Sequence, residues 1–460
     1  MIGSVLIANR GEIAVRIART CREMGIRTVL ATSTADAGST AARLADATVC
    51  VGPPDPRRSY LDIAAIVEAA RGAGADAVHP GYGFLSEDPD LAEVCVGNDL
   101  VFVGPRPDVL ATLGDKVAAR TRMAEVGLPV LPGSPEAIGT GEEAMEVAAE
   151  IGFPVIIKAV AGGGGRGMTV VSEPAAFRAA YAETRAHAQA VFGDGRVYVE
   201  RYLPRARHVE VQVLCDAYGT GVHLGERDCS VQRRNQKLIE ETPAPGLPAE
   251  LTEAIAEAAL HGAKAIEFTG AGTFEFLVAD DGSFWFMEAN ARIQVEHPVT
   301  EMTTGVDLIR EQLTVAGGGR LSVDQPDVVP RGAAIECRVN AEDPDRGFAP
   351  ASGTLDVFAA PGGPFTRTDT HAYAGMRFPP YYDSLLAKVI TWGPDRDAAL
   401  DRMDRALGEF AIDGHGIRTT IPFLREVIAA PEFRAGRHTT AFTDAFIRDR
   451  APSTRAEGSR

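Results

Sequence analysis

Two glutamates in a predicted β-hairpin have the spacing that points most directly to chemistry. Residues 272–290 alternate apolar and polar side chains on either side of Asp281-Gly282, a strong signal for a two-residue turn. Such a turn places Glu275 directly opposite Glu288. Opposed carboxylates roughly 5 Å apart at Cβ repel each other, so a cation is needed to keep both ionised. The spacing therefore predicts a Mg²⁺ site that can bridge to ATP phosphates.

A row of polar side chains continues from the second glutamate of this hairpin. Alternation along the strand places four of them on one face: Glu288, Asn290, Arg292 and Gln294. The apolar residues beside this row and the turn-forming His297-Pro298 after it indicate that these polar side chains line a cavity. The alternative is a solvated face of the sheet.

A glycine-rich segment is the most distinctive local sequence. Its five glycines fall within six positions: Gly162, Gly163, Gly164, Gly165 and Gly167. Glycine is costly in chain entropy, so the cluster indicates a backbone that approaches a ligand closely or takes positive φ. No Gly-Lys-Ser/Thr follows, which excludes a Walker A loop. We predict a hairpin flap whose N–H groups face nucleotide phosphates; the alternative is a mobile surface loop.

Two lysines near this flap are candidates for holding phosphates. Lys158 lies on the strand before the flap, and Lys116 lies in a Gly-Asp-Lys turn further upstream. Each alone also fits a solvated surface lysine. The segment Glu200-Arg-Tyr-Leu203 can present a backbone edge to a base.

The pattern of the first hundred residues predicts the fold of the N-terminal region. Strand-like runs alternate with helical patterns as far as Gly104, which indicates a parallel sheet covered by helices. The segment Asn9-Arg-Gly-Glu12 sits at a strand-to-helix turn but lacks GxGxxG. A dinucleotide site is therefore disfavoured.

The middle of the chain predicts strands at 155–159, 168–171 and 197–201, with a helix after Pro174. Beyond them, polar residues from His208 to Gln212 alternate with valines, which predicts a one-faced antiparallel sheet. The last third predicts short strands with two helices and a polar tail.

Composition restricts the class of protein. The chain has 460 residues, enough for about three domains. Its 45% hydrophobic and 24% charged residues exclude wholesale disorder, collagen and a coiled coil. The net charge of −17 disfavours nucleic acid and anionic membranes as partners. Six scattered cysteines without a CxxC pair, no signal peptide and no long apolar run predict a soluble cytoplasmic protein.

Seven short runs carry a resemblance to a known family. They are Ala8-Asn-Arg-Gly-Glu-Ile-Ala14, His79-Pro-Gly-Tyr-Gly-Phe-Leu-Ser-Glu87, Gly162 to Met168, Glu226-Arg-Asp-Cys-Ser230, Gln232-Arg-Arg-Asn-Gln-Lys237, Asn290-Ala-Arg-Ile-Gln-Val-Glu-His-Pro298 and Glu336-Cys-Arg-Val-Asn-Ala-Glu342. Together they resemble the biotin carboxylase component of biotin-dependent carboxylases, over residues 1 to about 447.

The resemblance implies an α/β fold with an α+β centre. An N-terminal Rossmann-like domain (1–114) precedes an ATP-grasp domain (115–330, with a mobile lid at about 131–203) and a C-terminal biotin carboxylase domain (331–447); residues 448–460 form a flexible tail. It also implies the reaction, in which ATP phosphorylates bicarbonate to carboxyphosphate and the carboxyl group passes to N1′ of biotin. This is the first half-reaction of an acyl-CoA carboxylase that feeds fatty-acid or related metabolism.

The resemblance also implies the site residues. ATP-binding positions match Lys116, Lys158, Gly162, Gly163, Gly164, Gly165, Gly167, Glu200, Leu203, His208, Gln232, Asn235 and Lys237. Metal positions, for two Mg²⁺ or Mn²⁺ ions, match Glu275, Glu288 and Asn290. Bicarbonate and biotin positions match Tyr82, Arg292, Gln294, Val295, Glu296 and Arg338. Glu296 is implied as the base for bicarbonate, Arg338 as the group that stabilises the biotin enolate, and Lys237 as a neutraliser of phosphoryl charge.

Two departures and two alternatives complete these expectations. Asn235 replaces a histidine found in many relatives, and no Ala-Met-Lys-Met attachment sequence occurs, so the biotin must come on a separate carrier. The implied partners are a biotin carboxyl carrier protein, carboxyltransferase subunits and a second copy of the chain. One alternative is an ATP-grasp ligase with another acceptor, which Arg338 argues against. The other is a scaffold without catalysis, which the complete set of catalytic residue types argues against.

Overall fold

The computed structural model describes residues 2–161 and 167–450. The glycines at 162–165 lie outside the described residues. None of the helices in these two ranges is long and apolar enough to cross a membrane.

The N-terminal region is a parallel sheet with helices on it. Its elements are β1 (Ser4–Ile7), α1 (Gly11–Glu23), β2 (Arg27–Ser33), α2 (Thr40–Leu44), β3 (Ala47–Gly52), α3 (Ile63–Gly72), β4 (Ala77–His79), α4 (Pro89–Val96), β5 (Val101–Phe102) and α5 (Pro107–Gly114). The five strands are parallel in the order β3-β2-β1-β4-β5. The predicted parallel α/β scaffold is confirmed.

The turn after β1 fixes the loop that follows β4. The side-chain amide of Asn9 donates to the carbonyl oxygens of Pro80 at 2.6 Å and Tyr82 at 2.8 Å. Both loops leave the same edge of the sheet, because β1 and β4 are adjacent parallel strands. Tyr82 is thereby held in the lining of the cavity described below.

A small unit with its own core follows. It comes after α6 (Lys116–Glu125), whose Ala119 and Met123 pack into the main core, and its elements are α7 (Gly141–Ile151), β6 (Val155–Ala159), β7 (Met168–Val171), α8 (Pro174–Phe192) and β8 (Val197–Arg201). The strands are antiparallel in the order β7-β6-β8, and their bounds match the three predicted strands. A separate cluster that includes Ala148, Phe177 and Val199 forms the core of this unit.

The central region supplies most of a large sheet. Its elements are β9 (Ala206–Cys215), β10 (Gly221–Arg233), β11 (Gln236–Thr242), α9 (Ala249–Ala265), β12 (Gly270–Ala279), β13 (Phe284–Asn290), α10 (His297–Thr304) and α11 (Leu308–Ala316). Val209, Val211 and Val213 pack into the core against α9. Glu210 and Gln212 on the opposite face are also fully buried. The predicted antiparallel pairing is confirmed, but the prediction that only one face is buried is wrong, because the polar face is covered by the ion pairs and the cavity described below.

The C-terminal region adds strands to the same sheet. Its elements are β14 (Ala333–Asn340), β15 (Glu342–Asp343), β16 (Ala349–Pro350), β17 (Gly353–Thr354), β18 (Val357–Ala359), β19 (Thr366–Thr370), β20 (Arg377–Phe378), β21 (Leu385–Gly393), α12 (Arg396–Glu409), β22 (Ala411–Asp413), α13 (Ile421–Ala429), α14 (Pro431–Arg434) and α15 (Phe442–Arg450). Four helices form here, not the predicted two. The extra helices are short, and their pattern is too brief to signal a helix. Residues 448–450, placed in the predicted tail, belong to α15; residues 451–460 lie outside the described residues.

The large sheet joins the central and C-terminal regions. Its eight antiparallel strands run in the order β13-β12-β9-β10-β11-β14-β21-β19. Pairing of β11 with β14 and of β14 with β21 brings Glu240, Arg338 and Lys388 onto neighbouring strands. Residues far apart in sequence therefore share one continuous surface.

Candidate active site

A cavity of about 840 Å³ is lined by loops of the N-terminal sheet, the small unit and the large sheet. It brings together most of the predicted site residues: Tyr82, Lys116, Lys158, Leu203, His208, Gln232, Asn235, Lys237, Glu275, Glu288, Asn290, Arg292, Gln294, Val295, Glu296 and Arg338. Glu200 and Gly167 lie outside the lining. Gly167 has φ +76°, and a Cβ there would lie 2.9 Å from that of Ala159, which accounts for the glycine.

The hairpin of β12 and β13 places the two predicted metal-site glutamates directly opposite each other. Glu275 pairs with Glu288 as predicted, but Val278 pairs with Phe284 instead of residue 285. The predicted two-residue turn is wrong: the loop has three residues, and Gly282 takes positive φ there. A bulge at residue 287 restores the predicted register by the point where the glutamates meet.

Side-chain cations compensate these two carboxylates. Lys116 forms an ion pair with Glu288 and lowers the pKa of that carboxyl against the opposing effect of burial. Glu275 Oε2 lies 2.7 Å from His208 Nε2, and Glu275 Oε1 accepts from Lys237 Nζ at 3.2 Å. Although burial favours its neutral form, Lys237 and His208 lower the pKa of Glu275. The predicted need for a cation is met by lysines, and both carboxylates are ionised and suited to Mg²⁺.

Lys237 is the centre of charge in the cavity. Its Nζ lies 2.5 Å from Glu210 Oε2 and 2.6 Å from Glu296 Oε1, in addition to its contact with Glu275. Burial opposes protonation, but these carboxylates, Glu210 foremost, hold the pKa of Lys237 well above its usual value. Arg227, which is fully buried, donates to the other oxygen of Glu210 at 2.6 Å. The lysine is therefore a fixed positive charge.

Glu296 lies between two cations. Its Oε1 contacts Lys237, and its Oε2 accepts from an Nη of Arg338 at 2.9 Å. Burial raises the pKa of Glu296, but Lys237 and Arg338 overcome that effect and hold the pKa well below the usual value. The carboxylate is therefore ionised at neutral pH, which is the form a general base requires.

Arg292 organises the polar row that the sequence predicted. It donates to Glu87 Oε2 at 2.8 Å, to Gln294 Oε1 at 2.8 Å and to Asn290 Oδ1 at 3.0 Å. The row is not a continuing strand, since β13 ends at Asn290 and the chain turns into α10 after Glu296. The side chains meet through hydrogen bonds instead of through alternation.

The nucleotide-side residues form two further contacts. Lys158 Nζ lies 2.6 Å from Glu200 Oε2, and Gln232 Nε2 lies 2.6 Å from His208 Nδ1. The Arg234-Asn235 turn between β10 and β11 has positive φ at both residues. Asparagine tolerates that conformation well, which gives a physical reason for its presence at position 235.

Four site-forming residues were missed as candidates: Glu87, Glu210, Glu240 and Lys388. Glu87 ends one of the resembling runs, and Glu210 lies in the alternating strand, so both carried a signal. Lys388 donates to the carbonyl oxygen of Val295 at 2.8 Å and lies 3.0 Å from Glu12, whose carboxylate also accepts from the Tyr82 hydroxyl. The position of Lys388 in the site depends on long-range strand pairing, so no local pattern in the sequence indicated it.

Comparisons with known proteins agree with this architecture. Three family models match consecutive segments: "Biotin carboxylase, N-terminal domain" over residues 1–110, "Carbamoyl-phosphate synthase L chain, ATP binding domain" over 115–324 and "Biotin carboxylase C-terminal domain" over 336–445. The biotin carboxylase of Nostoc sp. is 51% identical over 95% of this chain and 98% of that protein. Biotin carboxylase 1 of Bacillus subtilis is 50% identical over 97% and 99%.

A solved structure shows the same fold. The biotin carboxylase domain dimer of the Hydrogenobacter thermophilus 2-oxoglutarate carboxylase, in complex with MgADP, ADP and bicarbonate, superimposes with a TM-score of 0.94. It is 42% identical, over 97% of this chain and 98% of that one.

The fold and the lysine–carboxylate cavity define an ATP-grasp ligase. The chain belongs to the biotin carboxylase family. The fold class and the family predicted from the seven runs are thereby confirmed. The matches include a carboxylase with 2-oxoglutarate in its name, so they do not distinguish an acyl-CoA carboxylase from carboxylases with other acceptors.

Proposed function

We propose that this chain uses ATP and bicarbonate to carboxylate biotin on a separate carrier protein. The observation that carries the proposal is the placement of Glu296 between Lys237 and Arg338, beside Arg292. Phosphoryl transfer requires mainly that the reactants be positioned and their charge neutralised. The cavity supplies fixed positive charges for both and a carboxylate that can accept a proton.

ATP fits the side of the cavity that Lys116, Lys158 and Lys237 line. The other nucleotide-binding positions are Gly162, Gly163, Gly164, Gly165, Gly167, Glu200, Leu203, His208, Gln232 and Asn235. Glu275, Glu288 and Asn290 fit Mg²⁺ or Mn²⁺, because two ionised carboxylates and an amide oxygen are hard oxygen donors. When bound, the metal neutralises phosphate charge. The small unit that contains β6–β8 is the proposed mobile lid.

Bicarbonate fits beside Arg292, Gln294, Val295 and Glu296. A guanidinium holds a planar anion by two parallel hydrogen bonds, and Gln294 and Glu87 fix the Arg292 side chain in place. The hydroxyl proton of bicarbonate passes to Glu296, and the resulting oxygen attacks the γ-phosphorus as ADP leaves. This forms carboxyphosphate.

Biotin fits near Arg338 and Tyr82. Loss of the N1′ proton to the phosphate group of carboxyphosphate leaves negative charge on the ureido oxygen, and Arg338 supplies a positive charge that it cannot lose. The bond between the carboxyl carbon and that phosphate oxygen breaks, N1′ forms the new bond to the carboxyl carbon, and hydrogen phosphate is released.

The assembly follows from the same proposal. A biotin carboxyl carrier protein delivers biotin, and carboxyltransferase subunits pass the carboxyl group to an acyl-CoA. The chain acts as a homodimer in the cytoplasm. It has no nucleic acid or membrane partner. Six free cysteines fit a reducing compartment. The proposed domains are 1–114, 115–330 and 331–447, followed by the tail.

One assay separates this function from an ATP-grasp ligase with another acceptor. ATP hydrolysis by the purified chain is measured with bicarbonate and free biotin added separately and together. We expect bicarbonate to be required and biotin to stimulate the rate. ATP turnover that is indifferent to both contradicts the proposal.

Replacing Glu288 by glutamine tests the metal site. We expect the Mg²⁺ concentration for half-maximal activity to rise about tenfold or more, because the amide removes a charged oxygen ligand. The matched control is Asp281→Asn, at the exposed loop of the same hairpin. An unchanged Mg²⁺ requirement in Glu288→Gln refutes the assignment.

Replacing Arg292 by lysine tests the bicarbonate site. Lysine retains the charge but loses the paired donors, so KM for bicarbonate is expected to rise about 10- to 100-fold with KM for ATP little changed. Arg106→Lys, at an exposed arginine remote from the cavity, is the control. A selective rise in KM for ATP places Arg292 at the nucleotide instead.

A further inference from the structure

Two glutamates lie directly opposite each other in the large sheet, behind the cavity. Glu240 of β11 is in register with Glu336 of β14, and neither side chain is exposed to solvent. The arrangement repeats the opposition of Glu275 and Glu288, but the compensating groups differ. Nothing in the proposed reaction uses Glu336.

The hydrogen bonds of this pair are incomplete. Glu240 Oε1 accepts from Arg338 Nε at 2.6 Å. Among the described residues, Glu240 Oε2 and both carboxyl oxygens of Glu336 have no hydrogen-bond partner. Lys388, opposite Arg338 on β21, directs its Nζ to Glu12 and the Val295 carbonyl oxygen. A full negative charge on Glu336 would therefore be buried without a direct partner.

The cations around the pair make their direct contacts with other groups. The charged groups that act on it are Arg338 on β14, Lys388 on β21, Lys237 on β11 and Glu296 before α10. Helix α10, which packs against β14, also carries His297 and Glu301. Arg338 is shared with Glu296, Lys237 serves three carboxylates, and burial holds the pKa of His297 well below its usual value. Lys388 is the largest charge that opposes protonation of Glu336, but its Nζ contacts Glu12 and the Val295 carbonyl oxygen. Two opposed buried carboxyls whose only direct cation is one shared arginine favour retention of a proton.

Burial also favours the protonated form directly. It raises the pKa of Glu336 well above the usual value and raises that of Glu240 to about 7, even though Arg338 opposes the latter shift. A proton on Glu336 turns one of its oxygens into a donor, and the unpartnered Oε2 of Glu240 is the acceptor on the opposite strand.

We propose that Glu336 keeps a proton in the folded protein and uses it to donate a hydrogen bond to Glu240, and that Glu240 is a positioning residue that fixes the guanidinium of Arg338 for the biotin step. The second part rests on the proposed role of Arg338. Its physical reason is the net field at the ureido oxygen. A second ionised carboxylate behind Arg338 would cancel part of the positive charge that an enolate needs, whereas a neutral acid leaves it intact.

Glu240→Gln tests the positioning role by kinetics. We expect kcat for biotin carboxylation to fall about tenfold, the equivalent of one charge-assisted hydrogen bond. Bicarbonate-dependent ATP hydrolysis without biotin is expected to stay within about twofold of wild type, because Lys237, the stronger of the two cations on Glu296, still holds that base ionised. Equal loss in both assays, or no loss in either, overturns the positioning role.

Glu336→Gln tests the proton without reference to catalysis. Infrared spectra near neutral pH are expected to show the carbonyl band of a buried protonated acid in the wild type and to lose it in the variant. In the unfolded chain a glutamate ionises above about pH 4.3, whereas folded Glu336 stays protonated. The free energy of unfolding of the wild type therefore falls as pH rises above that value. The variant lacks that penalty and is expected to gain stability relative to wild type as pH rises.

The opposite results overturn the shared proton. A spectrum without the band, or a variant that loses stability relative to wild type as pH rises, means that Glu336 is ionised and paired with Lys388 and Arg338. These two readouts require no biotin. They therefore stay informative if an Arg338 variant shows that the proposed biotin reaction is wrong.

Discussion

Replacement of Glu296 by glutamine is expected to lower kcat for biotin carboxylation about 10²- to 10⁴-fold, the usual contribution of a general base. The amide keeps the size of the side chain but cannot accept the bicarbonate proton. ATP binding is expected to persist, since Glu296 contacts Lys237 and Arg338 while Lys116 and Lys158 pair with other carboxylates. Single-turnover measurement of ADP formation and a nucleotide-binding titration check both parts.

A buried glutamate remote from the cavity provides the control for this variant. Glu311 accepts hydrogen bonds from Ser322 and does not line the cavity. Glu311→Gln therefore measures the effect of removing a buried carboxylate in general. Near-normal carboxylation by Glu296→Gln, or an equal loss in both variants, contradicts the assignment of the base.

Replacement of Arg338 by glutamine is expected to separate the two half-steps at the site. Carboxylation of biotin should fall about 10²- to 10³-fold, the usual cost of losing one donor that stabilises an oxyanion. Bicarbonate-dependent ATP hydrolysis without biotin should continue, because Lys237 and Arg292 remain. The two rates are measured on the same preparation, so the ratio does not depend on the active fraction.

Stability needs its own control here, because Arg338 compensates two buried carboxylates. Removing one partner of a buried ion pair typically costs about 3–5 kcal/mol. Arg396 makes a comparable pair with Glu241 at 2.6 Å, outside the cavity lining. Arg396→Gln is expected to share the loss of stability but not the change in the ratio of rates. A parallel change in that ratio indicates a structural role for Arg338.

Local patterns predicted the parts of the site that lie within one hairpin or one strand. The opposition of Glu275 and Glu288 was predicted from the Asp281-Gly282 turn signal, although the turn was assigned one residue too short. The register was still correct at the glutamates because a bulge offset the longer loop. A sequence shows apolar alternation clearly, but it does not show a compensating bulge.

Long-range pairing accounts for most of what the sequence did not show. Glu240 and Glu336 become neighbours only because β14 joins the central sheet, and Lys388 reaches Val295 only because β21 follows it. These strands are far apart in sequence and have no local signal for their partner. The parallel N-terminal sheet was predictable because its strands and helices alternate along the chain.

Transfer of radiolabelled bicarbonate to free biotin tests the central claim most directly. The reaction contains ATP, Mg²⁺ and the purified chain, and carboxybiotin is separated from bicarbonate before counting. We expect ATP-dependent label in biotin with wild type and almost none with Glu296→Gln. ATP hydrolysis that depends on bicarbonate but leaves biotin unlabelled contradicts a biotin carboxylase.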